Sequence, residues 1–228
     1  MNICTGKILV FTAVSLLIGI TVQASAADRK VVVTEQSFEC LHQNQKVRNM
    51  YVDNILGNLT GTLAVAKSGM GGVYPPGTVL QLIPGEAMVK REKGASPATN
   101  DWEFFALDVS KDGAKIKARG FAEMKSALGG SCLDCHSKAK PQWDMVCEQG
   151  HGCDPIVLPG LDVPLLTGAM QKTDPRCASP EPLTLKELAE LKRLKELLEK
   201  KAAAQAAANG QPAERTTPAD TGTAPAVW

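Results

Sequence analysis

The sequence predicts an α+β fold, and three observations predict it. Short runs rich in β-branched and aromatic residues recur between positions 79 and 118, each bounded by turn residues. Apolar positions at helical spacing occupy 38–59 and 121–128. A charged, leucine-rich segment follows Ala178 and reads as a further helix.

The elements come in order. Leu41, Val47, Met50, Val52, Ile55, Leu56 and Leu59 space a helix over Phe38 to Leu59, interrupted by Gly57. Val79 to Ile83 is an apolar strand, Pro84-Gly85 turns the chain, and Ala87 to Lys90 returns as its partner. Trp102 to Val109 is an aromatic and β-branched strand. Lys111-Asp112-Gly113 then turns into Lys115 to Ala118, where charged and apolar residues alternate. Phe121 to Leu128 reads as a helix broken by Gly129-Gly130. A short helix opens at Cys132 and ends before Pro141.

That last helix carries the chain's chemistry. Cys132-Leu133-Asp134-Cys135-His136 is C-x-x-C-H, the attachment pattern for a c-type haem. Two thiols at this spacing can each form a thioether to one haem, and the adjacent histidine reaches the iron as an axial ligand. With 7 Cys and 3 His in 228 residues, chance supplies only about 0.003 such motifs. A redox C-x-x-C pair would have no need of His136, and a zinc site would need two more ligands nearby.

The amino terminus supports the same reading. Lys7 precedes an apolar run from Ile8 to Val22, and Ala24-Ser25-Ala26 follows as an A-x-A cleavage pattern. The run is short for a bilayer span, so residues 1–26 are expected to be a signal peptide cleaved after Ala26, with no stable membrane anchor. Thioether attachment of haem takes place outside the bacterial cytoplasm, and a periplasmic protein is the expectation.

Cysteine use fits an oxidising compartment. Cys4 leaves with the signal peptide, and Cys132 and Cys135 serve the haem. Cys40, Cys147, Cys153 and Cys177 remain. The favoured pairing is Cys147–Cys153 across a glycine-rich loop, with Cys40–Cys177 joining the ends of the domain. Three connectivities are open, and Cys147, His151 and Cys153 could instead hold a metal. Lys+Arg total 25 and Asp+Glu 24, a balance that offers no field for nucleic acid.

Residues 27–177 are therefore read as one haem domain. About a hundred of them, much of it apparent sheet, precede the motif, which argues against the all-helical layout of small electron-carrying cytochromes. Gly77-Thr78-Val79, then Trp102-Glu103-Phe104-Phe105, then Cys132 to His136, then Asp144-Met145-Val146 together resemble the cytochrome P-460 family, which includes the cytochromes c′-beta. The resemblance covers roughly Met50 to Leu158. It implies a haem-bearing antiparallel sheet with packed helices, one covalent haem c on Cys132 and Cys135, and His136 as proximal ligand to the iron. It further implies an iron face left open. Members oxidise hydroxylamine or bind nitric oxide and carbon monoxide, so the implied partners are a small gaseous ligand or a redox protein. Hydroxylamine-oxidising members join a strand lysine to the haem ring. That position here holds Leu82, and Lys90 to Lys93 read as a solvated turn. No catalytic residue is assigned on this reading.

The second axial position separates gas binding from electron transfer. Met70, between two glycines, is the first candidate ligand, and His151 the next. Phe104 or Phe105 could instead cap the pocket, as aromatics do in cytochromes c′-beta, or both could be sheet packing. Residues 178–208 form the charged leucine helix, with Thr184 as N-cap and Glu187 three residues on. Its leucine stripe could pack on its own domain, on a second copy as a homodimer, or on a partner. Residues 209–228 are expected to be disordered.

Overall fold

The computed structural model describes residues 29–126, 130–148, 150–155 and 157–208. The expected signal peptide and the expected disordered tail lie outside the described residues. Six strands form one antiparallel meander, each paired with its sequence neighbour: β1 (Gln45–Val47), β2 (Met50–Asn54), β3 (Thr78–Gln81), β4 (Glu86–Lys90), β5 (Trp102–Ser110) and β6 (Gly113–Gly120). Among the described residues four helices accompany it: α1 (Leu59–Ala66), α2 (Cys132–His136), α3 (Val163–Lys172) and α4 (Leu185–Ala208). The fold is α+β.

The expected helix over Phe38 to Leu59 is instead a 3-10 turn, the β1–β2 hairpin and the loop into α1. Val47 pairs with Met50 around a two-residue turn, and Arg48 takes a left-handed φ of 53° there. Met50, Tyr51 and Val52 are all buried, because β2 is covered on both faces. A strand covered on both sides loses its alternation, and its apolar run matches a helical spacing as well as an extended one. Asn54 ends β2, and Asn58 caps α1 by accepting the Gly61 amide at 3.1 Å. The expected helix over Phe121 to Leu128 is also absent from its described part, where Met124 N–H bonds Phe121 O in a turn and Lys125 bridges Ser131.

The β3–β4 and β5–β6 hairpins form where Pro84-Gly85 and Asp112-Gly113 predicted them. The two sheet faces bury separate clusters. On one face Met50, Val52, Leu80, Met88, Trp102 and Phe104 pack with Ala66, Tyr74, Met124 and Val146. On the other, Val79, Ala87, Val89, Phe105, Leu107 and Val109 lie under Val31, Val33 and Phe38 from the amino-terminal segment. Period-two alternation along β4 and β5 sorts the residues between these faces.

A third cluster joins α3 to α4 through Leu166, Met170 and Leu194, with Leu191 and Leu198 packed against it. The leucine stripe is thus partly spent on its own chain, while Leu185, Leu188 and Leu197 stay exposed. Thr184 and Glu187 form the expected capping box, with Glu187 N–H on Thr184 Oγ1 and Thr184 N–H on Glu187 Oε2. The α3 helix has no counterpart in the sequence reading, although Asp162 caps it by accepting the Leu165 amide at 3.1 Å and Pro164 sits in its first turn.

The cysteines stand at disulfide distance in the favoured pairing, Cys40 with Cys177 and Cys147 with Cys153. Beside the first bridge, Asp174 accepts the Leu41 amide and pairs with Arg176, whose Nη1 bonds Phe38 O. The amino-terminal segment is thereby sewn to the chain that follows α3. No helix among the described residues is long and apolar enough to cross a membrane.

Candidate functional site

The site begins with the cap of α2. Ser131 Oγ accepts the Asp134 amide at 3.1 Å, and Cys132 N–H donates to Met124 O at 3.0 Å. One helical turn then places Cys132, Cys135 and His136 at i, i+3 and i+4, neighbours on a single helix face. Both thiols are free and half-buried, whereas the other four described cysteines are paired. Burial pushes the Cys132 thiol up to about 11, and the nearby Glu86 carboxylate and Cys135 add to the effect. Burial raises Cys135 as well, with Lys138 opposing and Glu86 assisting.

His136 is oriented by a backbone carbonyl. Its Nδ1 lies 2.9 Å from Met145 O, and burial holds the imidazole below its ordinary pKa. A carbonyl only accepts, so Nδ1 carries the hydrogen and Nε2 of the neutral ring keeps its lone pair. The Phe104 ring lies against the imidazole, centroids 5.1 Å apart. Cys132, Met145 and Leu82 border the apolar cluster that contains Phe104, Met88 and Met124.

Met145 O is aimed by its neighbours. Asp144 and Met145 both take left-handed φ angles, 51° and 62°. The Asp144 carboxylate receives Lys90 Nζ at 2.7 and 2.8 Å and the Tyr74 amide at 2.9 Å. Its carbonyl receives Trp102 Nε1 at 2.7 Å. Burial raises the Asp144 carboxyl while Lys90 draws it back down.

The other predicted residues fall in several places. Phe105 points to the opposite sheet face, 5.1 Å from Phe38 and under the Arg119 guanidinium, so it caps nothing at the motif. β5 alternation allows only one of the two phenylalanines on the motif's side, and that one is Phe104, which touches His136 itself. Met70 is 86% exposed on its loop. His151 packs edge-on to Trp143 at 4.2 Å, and its Nε2 is buried without a hydrogen-bond partner. With Cys147 bonded to Cys153, the metal arrangement proposed for His151 has no thiolates left. Leu82 is partly buried on the cluster's edge.

Lys90 departs most from expectation. It is 5% exposed rather than part of a solvated turn, because Asp144, 54 residues away in sequence, folds over it. Glu86 and the Met145 carbonyl were likewise not identified from sequence. Met145 follows Trp143 and Asp144 in a stretch of no periodic pattern, and only the motif Asp144-Met145-Val146 marked the segment.

The arrangement discriminates among chemistries. A disulfide-exchange C-x-x-C needs a depressed thiol pKa, and both thiols here are raised. Among the described residues, the only grouping with metal-ligand geometry is Cys40, His42 and Cys177, far from α2 in sequence and with its sulfurs bonded to each other. Two unbridged thiols and an imidazole nitrogen with a directed lone pair, walled by Phe104, are chemically suited to a covalently attached haem. Compared with known proteins, the chain matches no family model, no curated protein and no solved structure.

Proposed function

We propose that this protein is a periplasmic monohaem c-type cytochrome that transfers electrons or binds a diatomic gas such as nitric oxide or carbon monoxide. Cys132 and Cys135 hold the haem and His136 ligates its iron. The observation that carries this reading is the 2.9 Å contact of His136 Nδ1 with Met145 O, beside two free thiols on the same helix face. Ligating histidines commonly donate their second nitrogen in this way, which fixes the tautomer and raises ligand basicity. The bound haem would supply a redox-active iron. The protein's part is to fix Nε2, to exclude water with Phe104 and its neighbours, and to anchor the porphyrin at two sulfurs.

A second reading is an oxidoreductase acting on hydroxylamine or a related small nitrogen compound. Glu86 favours it, being an acid–base group close enough to raise both motif thiols. Against it, Leu82 offers no amine for a cross-link, and Lys90 Nζ is committed to Asp144 and to Asn100 O at 2.6 Å.

The test is expression with a haem-attachment system, followed by ferric and ferrous absorption spectra with and without carbon monoxide. Haem that survives denaturing extraction in the native chain, but not after Cys132→Ser with Cys135→Ser, supports attachment. A chain that acquires no covalent haem overturns it. A ferrous spectrum that shifts with carbon monoxide selects gas binding, an unmoved low-spin spectrum selects electron transfer, and hydroxylamine turnover abolished by Glu86→Gln selects the enzyme.

A further inference from the structure

We infer that the buried Lys90–Asp144 ion pair is a positioning device for His136, acting through the Met145 carbonyl; in treating His136 as an iron ligand, the inference rests on the haem reading. Lys90 Nζ has three donors, and Asp144 Oδ1, Asp144 Oδ2 and Asn100 O take them at 2.8, 2.7 and 2.6 Å. The ammonium also lies 5.1 Å from the Trp102 ring centroid. On the carboxylate side, Oδ2 takes the Tyr74 amide and the carbonyl takes Trp102 Nε1. Three elements are therefore bonded to Asp144: β4 through Lys90, β5 through Trp102, and the loop after α1 through Tyr74.

The backbone at this point is strained. Asp144 and Met145 are consecutive non-glycine residues at φ 51° and 62°. Such residues persist where their surroundings over-determine them. The reversal turns the Met145 carbonyl toward α2, where it meets His136 Nδ1. Nine residues separate the two, so the helix alone does not place this acceptor.

Stability alone does not account for the pair. A buried ion pair is weak evidence of stabilisation, since apolar replacements of similar volume are often as stable. An apolar pair would fill the same space, but it could not fix the direction of one peptide carbonyl. Lys90 holds the Asp144 side chain while Trp102 Nε1 holds its main-chain carbonyl, and the two together fix that direction. Its consequence is chemical: the aimed carbonyl selects the Nδ1–H tautomer and strengthens Nε2 as a donor.

The test uses the full chain, with and without haem, in four forms: native, Trp102→Phe, Lys90→Met, and Lys90→Met with Asp144→Asn. Trp102→Phe keeps an aromatic side chain, smaller than indole, and removes the hydrogen bond to Asp144 O without changing a charge, so it gives a readout independent of the charge variants. In the haem-free chain, ¹⁵N NMR of His136 reports the tautomer. The native protein is expected to hold Nδ1–H, and each variant to move toward a mixture. In the haem-loaded chain, weaker Nε2 donation favours ferrous iron. A tenfold loss of ferric preference corresponds to a midpoint potential about 59 mV higher. The doubly neutral variant separates roles: folding stability close to native with an altered tautomer supports positioning. Native tautomer in all folded variants overturns the inference. Failure to take up haem would overturn the haem reading, while the tautomer measurement would still decide this one.

Discussion

Arg48 Nε and Glu148 Oε1 lie 2.5 Å apart, joining the β1–β2 turn to the disulfide-closed loop across 100 residues of sequence. Glu148 is almost wholly buried, and its second oxygen accepts the Asn49 amide at 3.3 Å. Arg48 Nη1 also reaches Ala66 O, at the end of α1, at 2.7 Å. Three segments around the apolar cluster are thus tied through one ion pair.

Glu148→Gln is expected to destabilise the protein by about 2 kcal/mol, because a charge-assisted bond is weakened and Arg48 retains some access to water. Urea denaturation checks it: the midpoint should fall while the slope stays constant.

The raised thiol of Cys132 predicts slow alkylation. At about 11 against an ordinary 9.0, its thiolate at pH 8 is about a hundredfold scarcer than that of an unperturbed cysteine. Iodoacetamide should modify the haem-free chain at a correspondingly low rate, and Glu86→Gln should raise that rate by removing one contributor.

The two disulfides should differ in weight. Cys40–Cys177 closes a separation of 137 residues and Cys147–Cys153 one of six. In the chain-entropy model these contribute about 5 and about 2 kcal/mol. Thermal melts of the two Cys→Ser double variants should show the larger fall for Cys40 with Cys177.

Glu187 makes α4 docking acid-sensitive. Lys172 Nζ at 2.8 Å, then the Thr184 amide and hydroxyl, hold its carboxyl down at about 2 rather than 4.5. A depressed carboxylate stabilises the fold above its unfolded pKa and loses that contribution as pH falls, here between about 4.5 and about 2. Melting curves of native and Glu187→Gln protein should therefore converge across that interval, with native the more stable at neutral pH.

The parts legible in the sequence were those set by local chemistry. Pro84-Gly85 and Asp112-Gly113 announced two hairpins, Thr184 with Glu187 announced the α4 cap, and the motif spacing announced α2. The β1–β2 hairpin was not legible, because its turn residues Arg48 and Asn49 carry no glycine and Arg48 owes its left-handed backbone to a long-range environment that includes Glu148. Lys90 looked solvated for the same reason, as its partner arrives from 54 positions away. In the site, the thiols and imidazole could be named from spacing alone. The carbonyl that orients the imidazole is main chain, and main-chain direction leaves no mark in residue type.

The meander has a consequence for how the chain matures. Its last strand ends at Gly120, so all six strands are synthesised before any cysteine that follows Cys40. Neighbour-to-neighbour hairpins close quickly, whereas the Cys40 sulfur must wait for a partner 137 residues downstream. During that interval the first thiols to arrive are Cys132 and Cys135, the wrong ones. Burial raises both of these thiols once α2 has docked, which lowers the thiolate population that exchange with Cys40 would draw on.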